Sequence, residues 1–163
     1  MPEKSIQEYL KDSQYRKNVG IVLYKKGKIF FAERSDIKGA WQLPQGGVDE
    51  DEDLLEAARR ELFEETGLTK EQMELKALHP EWLVYTLPKK YQEPDFKGQI
   101  QKWFLFEFKD DDKNIDLEKA TDKEFISWKW GSKEDILKAA IAFRKPIYES
   151  VFKQFSGYIT PKK

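Results

Sequence analysis

The chain has no cysteine and a single histidine, His79, among its 163 residues. Without thiols there is no disulfide framework, no thiolate nucleophile and no cysteine-based zinc site. With one imidazole, histidine triads and histidine zinc sites are excluded as well, and His79 reads as a structural or surface residue. No apolar run approaches the ~20 residues needed to span a bilayer. Met1-Pro2-Glu3-Lys4 opens no apolar export core, which sets a cytoplasmic expectation and no membrane partner. The net charge is −1, too little for bulk binding along nucleic acid but compatible with one phosphorylated end. Three common motifs are also missing: Gly-x-x-x-x-Gly-Lys-Ser/Thr, Gly-x-Gly-x-x-Gly and His-Glu-x-x-His.

What is present argues for one folded domain. The length fits a single core, and five Trp with eleven Phe argue against disorder. Residues 1–14 are polar, with a short helical pattern at Ser5 to Leu10, and read as an N-terminal extension to a domain spanning 15–163. Asn18 to Tyr24 is β-rich, Lys25-Lys26-Gly27-Lys28 reads as a hairpin turn, and Lys28 to Glu33 as the returning strand. Trp41 to Leu43 is a short strand leading to a Gly46-Gly47 turn. Leu75 to Tyr85 is a strand broken near His79-Pro80, because proline cannot donate to a ladder. Leu87 to Gly98 is a loop, Gln101 to Phe108 and Phe125 to Trp130 are strands, and Ser132 to Ala139 is a short helix. A last helix starts at Pro146 and runs to about Phe155, with Ile147, Val151 and Phe155 at helical spacing. Interleaved strands and helices with hairpins predict an α/β fold with a mixed sheet packed between helices.

One stretch, Gly46 to Leu68, carries the chemistry. From Gly47 to Glu65 nine acidic residues face two basic ones, a local charge of −7 that leaves +6 for the rest of the chain. Acidic residues suit a helix start and Gly67 suits its C-cap. At about 100° per residue, Leu54, Leu55, Ala57, Ala58 and Leu62 share one arc, the core-facing stripe. Glu61 and Glu65 point into that arc and Glu64 lies at its edge. Arg60 can pair with Glu56 and Glu64 one turn away, which does not serve all three. Unpaired buried carboxylates are costly, whereas several converging carboxylates form a hard-oxygen site for Mg²⁺ or Mn²⁺. The alternative is a solvated, well-capped acidic helix. A calcium loop at Asp49 to Asp53 is disfavoured by its missing central glycine and spacing.

The same stretch resembles the Nudix box: Gly46, five residues, Glu52, seven residues, Arg60-Glu61-Leu62, one residue, Glu64-Glu65, one residue, Gly67-Leu68. Every fixed position is filled. The resemblance implies an α/β/α sandwich and metal-dependent hydrolysis of a nucleoside diphosphate linkage. It implies Glu61, Glu64 and Glu65 as metal ligands, with the Gly46 carbonyl as another, and Glu52 and Arg60 as structural. Further segments resemble the RNA pyrophosphohydrolase and dinucleoside polyphosphate hydrolase branch. These are Tyr15 to Gly20, Ala40 to Gly47, Gly98 to Phe104, Glu124-Phe125 before Trp128-Lys129-Trp130, and Phe143-Arg144-Lys145 before Tyr148. Carried over, Glu124 becomes a fourth carboxylate and a candidate base. Arg16, Arg34, Tyr85 and Lys102 become phosphate contacts. Phe143 becomes a base-stacking aromatic, with Arg144 beside it on phosphate. The implied partner is a nucleoside polyphosphate or a 5′-phosphorylated RNA end. Three functions follow from the resemblance: removal of pyrophosphate from triphosphorylated RNA, cleavage of diadenosine tetraphosphate to ATP and AMP, or a silent nucleotide-binding module.

Overall fold

Ser5 caps the first helix, α1 (Ile6–Lys11), through a reciprocal pair of bonds with Glu8, a capping box that satisfies two helix-start donors. This computed structural model describes residues 4–160, so the ends of the expected division into 1–14 and 15–163 lie outside the described residues. β1 (Tyr15–Lys25) and β2 (Lys28–Arg34) are joined by a two-residue turn at Lys26-Gly27, inside the expected Lys25 to Lys28 turn. β3 (Trp41–Gln42) and β4 (Gln45–Gly47) follow. The Gly46-Gly47 pair, expected as a turn, is therefore strand: it lies opposite Asn18 and Val19 of β1.

α2 (Leu54–Thr66) starts at Asp53, whose side chain accepts from the backbone N–H groups of Leu55 and Glu56. Such a cap contributes about 1 kcal/mol. The acidic run Asp49 to Glu52 precedes the helix rather than filling its first turn. The helix ends at Gly67, with φ 77° and its N–H on the Phe63 carbonyl, a left-handed conformation that glycine adopts without a Cβ penalty. β5 (Met73–Leu78) and β6 (Leu83–Thr86) are the two halves of the expected broken strand. β7 (Gly98–Phe108), β8 (Phe125–Gly131) and α3 (Lys133–Ala139), capped by Ser132, come next. α4 (Lys145–Ile159) ends the described chain.

The sheet runs β3-β2-β1-β7-β5, with β4 on β1, β6 on β7 and β8 on β2. β1 and β7 are parallel from Tyr15 to Tyr24 and the other pairings are antiparallel. Both faces are covered, which is why β1 reads as a nearly unbroken apolar run. On one face Val19, Ile21 and Leu23 pack with Phe104, Phe106 and α2's Ala57, Ala58 and Leu62. On the other, Val22, Tyr24, Trp103 and Leu105 pack with Ile136 of α3 and Ile147, Val151 and Phe155 of α4. The expected α/β/α sandwich with a mixed sheet is thus present. Among the described residues no helix is long and apolar enough to cross a membrane.

One irregularity opens the site. β1 and β2 pair only at Tyr24–Ile29 and Lys25–Lys28, then diverge. Residues 41–47 enter the gap, β3 on β2 and β4 on β1, held by the Ile21 N–H on the Pro44 carbonyl at 3.0 Å. A cleft forms where the strands part.

Candidate active site

α2 turns its apolar stripe to the sheet, and the periodicity that buries Ala57, Ala58 and Leu62 also carries Glu65 inward. Glu65 is 1% exposed. Its Oε1 accepts from the Gln45 backbone N–H at 3.0 Å, and Glu124 lies near enough to help raise its pKa. Glu124 is exposed on a loop tied down at three points. Asp122 N–H donates to the Glu64 carbonyl at 2.8 Å, Ser35 N–H to the Glu124 carbonyl at 2.7 Å, and Ser35 Oγ to the Lys123 carbonyl at 2.7 Å. Glu61, one turn before Glu65, lies against β4 so closely that a Cβ on Gly46 would overlap its carboxylate.

Arg60 organises the outer half of the cluster. It takes Glu52 with two nitrogens, Nε to Oε2 and Nη2 to Oε1, both at 2.8 Å. Nη1 reaches Glu61 Oε1 at 2.9 Å and Glu64 Oε1 at 3.0 Å, and Nη2 the Gly47 carbonyl at 2.8 Å. Glu56, expected to pair with Arg60, is not among its partners. The four candidate carboxylates therefore form two sets: buried Glu65 with exposed Glu124 near it, and Glu61 with Glu64 bridged by the guanidinium. Among the described residues no three acidic groups converge on one point at ligand distance.

The electrostatics reflect this crowding. Burial pushes Glu61 up to about 7, with Glu64 and Glu124 adding to the rise and Arg60 opposing it. Burial pushes Glu65 well above the ordinary carboxylate range, reinforced by Glu124 and then Glu61, while the Gln45 bond pulls the other way. Arg60 holds Glu52 below that range. Inward carboxylates with too few donors are costly for a fold alone. The donor set is all oxygen, beside a glycine backbone, and fits a hard divalent cation.

The cleft next to these groups measures about 710 Å³ and is lined by Glu65, Glu124, Gly46, Arg34, Gln45 and Arg144, among others. A second pocket of about 310 Å³ adjoins it and carries five aromatic side chains, Trp41, Tyr85, Tyr91, Phe96 and Phe143. Arg34, Gln42, Gln99 and Arg144 line both. Phe143 sits 5.7 Å from Tyr85 at 30° and 6.0 Å from Tyr91 at 52° between ring centroids and planes. Arg34 holds Asp36 through two nitrogens.

Two expected phosphate contacts are not brought into either cavity. Lys102 donates to the Pro80 carbonyl at 3.1 Å and lies over Trp82. Gln99, Gln101 and Trp103 share one face of β7 and Lys102 the other, with Phe104. Arg16 stacks on Phe96, 4.0 Å from guanidinium carbon to ring centroid, outside the pocket that Phe96 lines. Conversely, sequence reasoning passed over Asn18, Gln42, Gln45 and Gln99, which line the cleft. A signal was available for Gln99 and its neighbour Gln101, polar residues on the strand face otherwise carrying Trp103 and Leu105. His79 is buried, accepts the Glu81 N–H on Nδ1 and packs edge-on to Phe155, the structural one of the two roles expected.

Gly46→Ala tests the contact between β4 and α2. The added methyl forces Glu61 or β4 to move, an overpacking cost of about 1–3 kcal/mol and a melting-point loss of roughly 3–10 °C. An unchanged melting temperature by calorimetry would remove the close contact from the account.

The chain matches the NUDIX domain over residues 14–151. It is 43% identical over 159 residues to Nudix hydrolase 27, chloroplastic, of Arabidopsis thaliana, covering 91% of this chain and 69% of that one. It is 40% identical over 153 residues to an RNA pyrophosphohydrolase of Wolbachia pipientis, covering 91% and 93%. A solved Ap4A hydrolase of C. elegans superposes with a TM-score of 0.66 at 27% identity, covering 88% of this chain and 99% of that one. On this domain match and these identities over most of each relative's length, the chain belongs to the NUDIX family.

Proposed function

We propose that this protein is a metal-dependent hydrolase of nucleoside polyphosphate linkages that removes pyrophosphate from 5′-triphosphorylated RNA in the cytoplasm. One observation carries the reading: the acidic cleft and the aromatic pocket share a wall, so one substrate end can place phosphates in the first and its base in the second. The 40% identity to an RNA pyrophosphohydrolase over nearly all of that protein's length supports it. The similarity to an Ap4A hydrolase supports a second reading, cleavage of a dinucleoside polyphosphate by the same groups.

Nudix hydrolases generally need divalent metal ions. Glu61, Glu64, Glu65, Glu124 and the Gly46 carbonyl would hold Mg²⁺ or Mn²⁺ here, in more than one site. When bound, such ions supply polarisation of a phosphoryl oxygen and a lowered pKa for water. The chain's own groups do the rest. A carboxylate of the Glu65–Glu124 pair accepts the proton of the attacking water. Arg34 and Arg144, on the shared wall, face the phosphate charge. Phe143, with Tyr85 and Tyr91, stacks the base. No covalent intermediate is required.

The deciding experiment is Mg²⁺-dependent product analysis with 5′-triphosphorylated RNA and diadenosine tetraphosphate in parallel. A large kcat/KM preference for the RNA supports the first reading, the reverse preference the second, and no turnover of either defeats both. Phe143→Ala is expected to raise KM about tenfold, the loss of one stacked base worth about 1–3 kcal/mol. Its melting temperature should move little, because the ring is half-buried at the pocket rim. Lost stability with unchanged KM would return Phe143 to the core.

A further inference from the structure

We infer that Gln45 is a positioning residue that couples the acidic cleft to the aromatic pocket and presents Arg144 to a substrate phosphate as an unneutralised cation. The phosphate in this inference rests on the hydrolase reading above; the coupling rests on the bonds themselves. Gln45 is the first residue of β4, and its two halves point to different partners. The backbone N–H donates to Glu65 Oε1 at 3.0 Å. The side-chain Oε1 accepts from Arg144 Nη1 at 2.6 Å and from Gln101 Nε2 at 3.1 Å. Its Nε2 donates to Gln99 Oε1 at 3.3 Å, the atom that also accepts from the Tyr85 hydroxyl. Gln101 is itself fixed, donating to Asn18 Oδ1 at 2.8 Å and accepting from Trp103 Nε1 at 3.1 Å. One residue thus joins the buried carboxylate of α2, the guanidinium that leads into α4 and the hydroxyl in the aromatic wall.

The neutrality of the amide is the telling feature. Among the described residues no carboxylate lies within salt-bridge distance of Arg144. A Glu at position 45 would hold Arg144 equally well but cancel its charge, and would add an anion beside Glu65. An amide orients the guanidinium through one carbonyl oxygen and leaves its remaining N–H donors and full charge for a ligand.

The test is a double-mutant cycle on a 5′-triphosphorylated dinucleotide with Mg²⁺. Kinetics and melting temperatures are measured for wild type, Gln45→Ala, Gln45→Glu, Arg144→Ala and the Gln45→Ala/Arg144→Ala pair. Gln45→Ala should raise KM about tenfold, the loss of a bond to a charged group. Its kcat should change far less, because the backbone donor to Glu65 survives. Gln45→Glu should raise KM further, and the double variant should match Arg144→Ala alone. Multiplying KM effects in the double variant, or a Gln45→Ala protein that loses stability with KM unchanged, would overturn the coupling. If the wild type turns over no polyphosphate, the hydrolase reading fails by itself. The cycle is then read from the Kd of the same dinucleotide, where multiplying losses overturn the coupling and absence of binding overturns the anion role as well.

Discussion

Glu65→Gln is expected to lower kcat by roughly 10²–10⁴-fold, the range for removing a group that handles the proton in the transition state, while the protein stays folded. The substitution keeps the side chain's volume and leaves an oxygen to accept the Gln45 N–H. What it removes is the negative charge. In the folded protein that charge is disfavoured by burial and by Glu124, so an amide should leave the melting temperature equal or raise it. For Glu65, which makes no salt bridge among the described residues, opposite movements of activity and stability mark a functional acid. Glu64→Gln should lose turnover in the same way. There the amide also gives up half of an ion pair with Arg60 at 3.0 Å, so a modest loss of stability accompanies it. Calorimetry and Mg²⁺-dependent steady-state kinetics on both variants check this. Near-normal kcat in both would remove the metal assignment.

The fold was legible wherever one period dominated. The β1–β2 hairpin, the break at His79-Pro80 and the inward glutamates of α2 all follow from alternation, proline chemistry or a 100° wheel. β4 was not legible, because two glycines offer no side-chain pattern. Its strand character comes from pairing with β1 and from the room it leaves for Glu61. α4 runs one turn beyond the expected Phe155, through Gly157, because Ile159 continues the Ile147, Val151, Phe155 series and is 1% exposed. Burial of that last residue outweighs the helix cost of glycine, about 1 kcal/mol.

The site divides the same way. The acidic residues of α2 lie on one helix, so wheel spacing reached them; Glu124, on a loop, was reached only through the family resemblance. The polar wall is assembled from β1, β3, β4 and β7, and depends on the parting of β1 from β2, which no local pattern encodes. Lys102 shows the reverse: the resemblance implied a phosphate contact, and the structure turns its amine to the Pro80 carbonyl instead. Asp36 was unseen for a related reason. Only the turn after β2 brings it back onto Arg34.

Without divalent ions, thermal stability should carry a component that falls as pH rises between about 4.5 and 7, and Mg²⁺ should restore it. Glu61 titrates near 7 in the folded chain against an ordinary 4.5, so between these values the folded state holds a proton that the unfolded state has released. Stability from that proton is fully present below 4.5 and lost as pH passes 7. The gap corresponds to about 3 kcal/mol, an upper bound of roughly 6–12 °C in a domain of this size. Solvent screening is limited, because the Glu61 side chain is 13% exposed. His79, held below its ordinary value by burial, contributes with the opposite sign as pH falls, so the component is read as wild type minus Glu61→Gln. A cation that binds the ionised cluster stabilises only the folded state. Its effect on melting should therefore grow from pH 5.5 to pH 8 in wild type and be smaller, with less growth, in Glu61→Gln. A Mg²⁺ shift that is flat with pH, or equal in the two proteins, would mean that Glu61 is not part of the ion's coordination and that its inward placement is paid by packing alone.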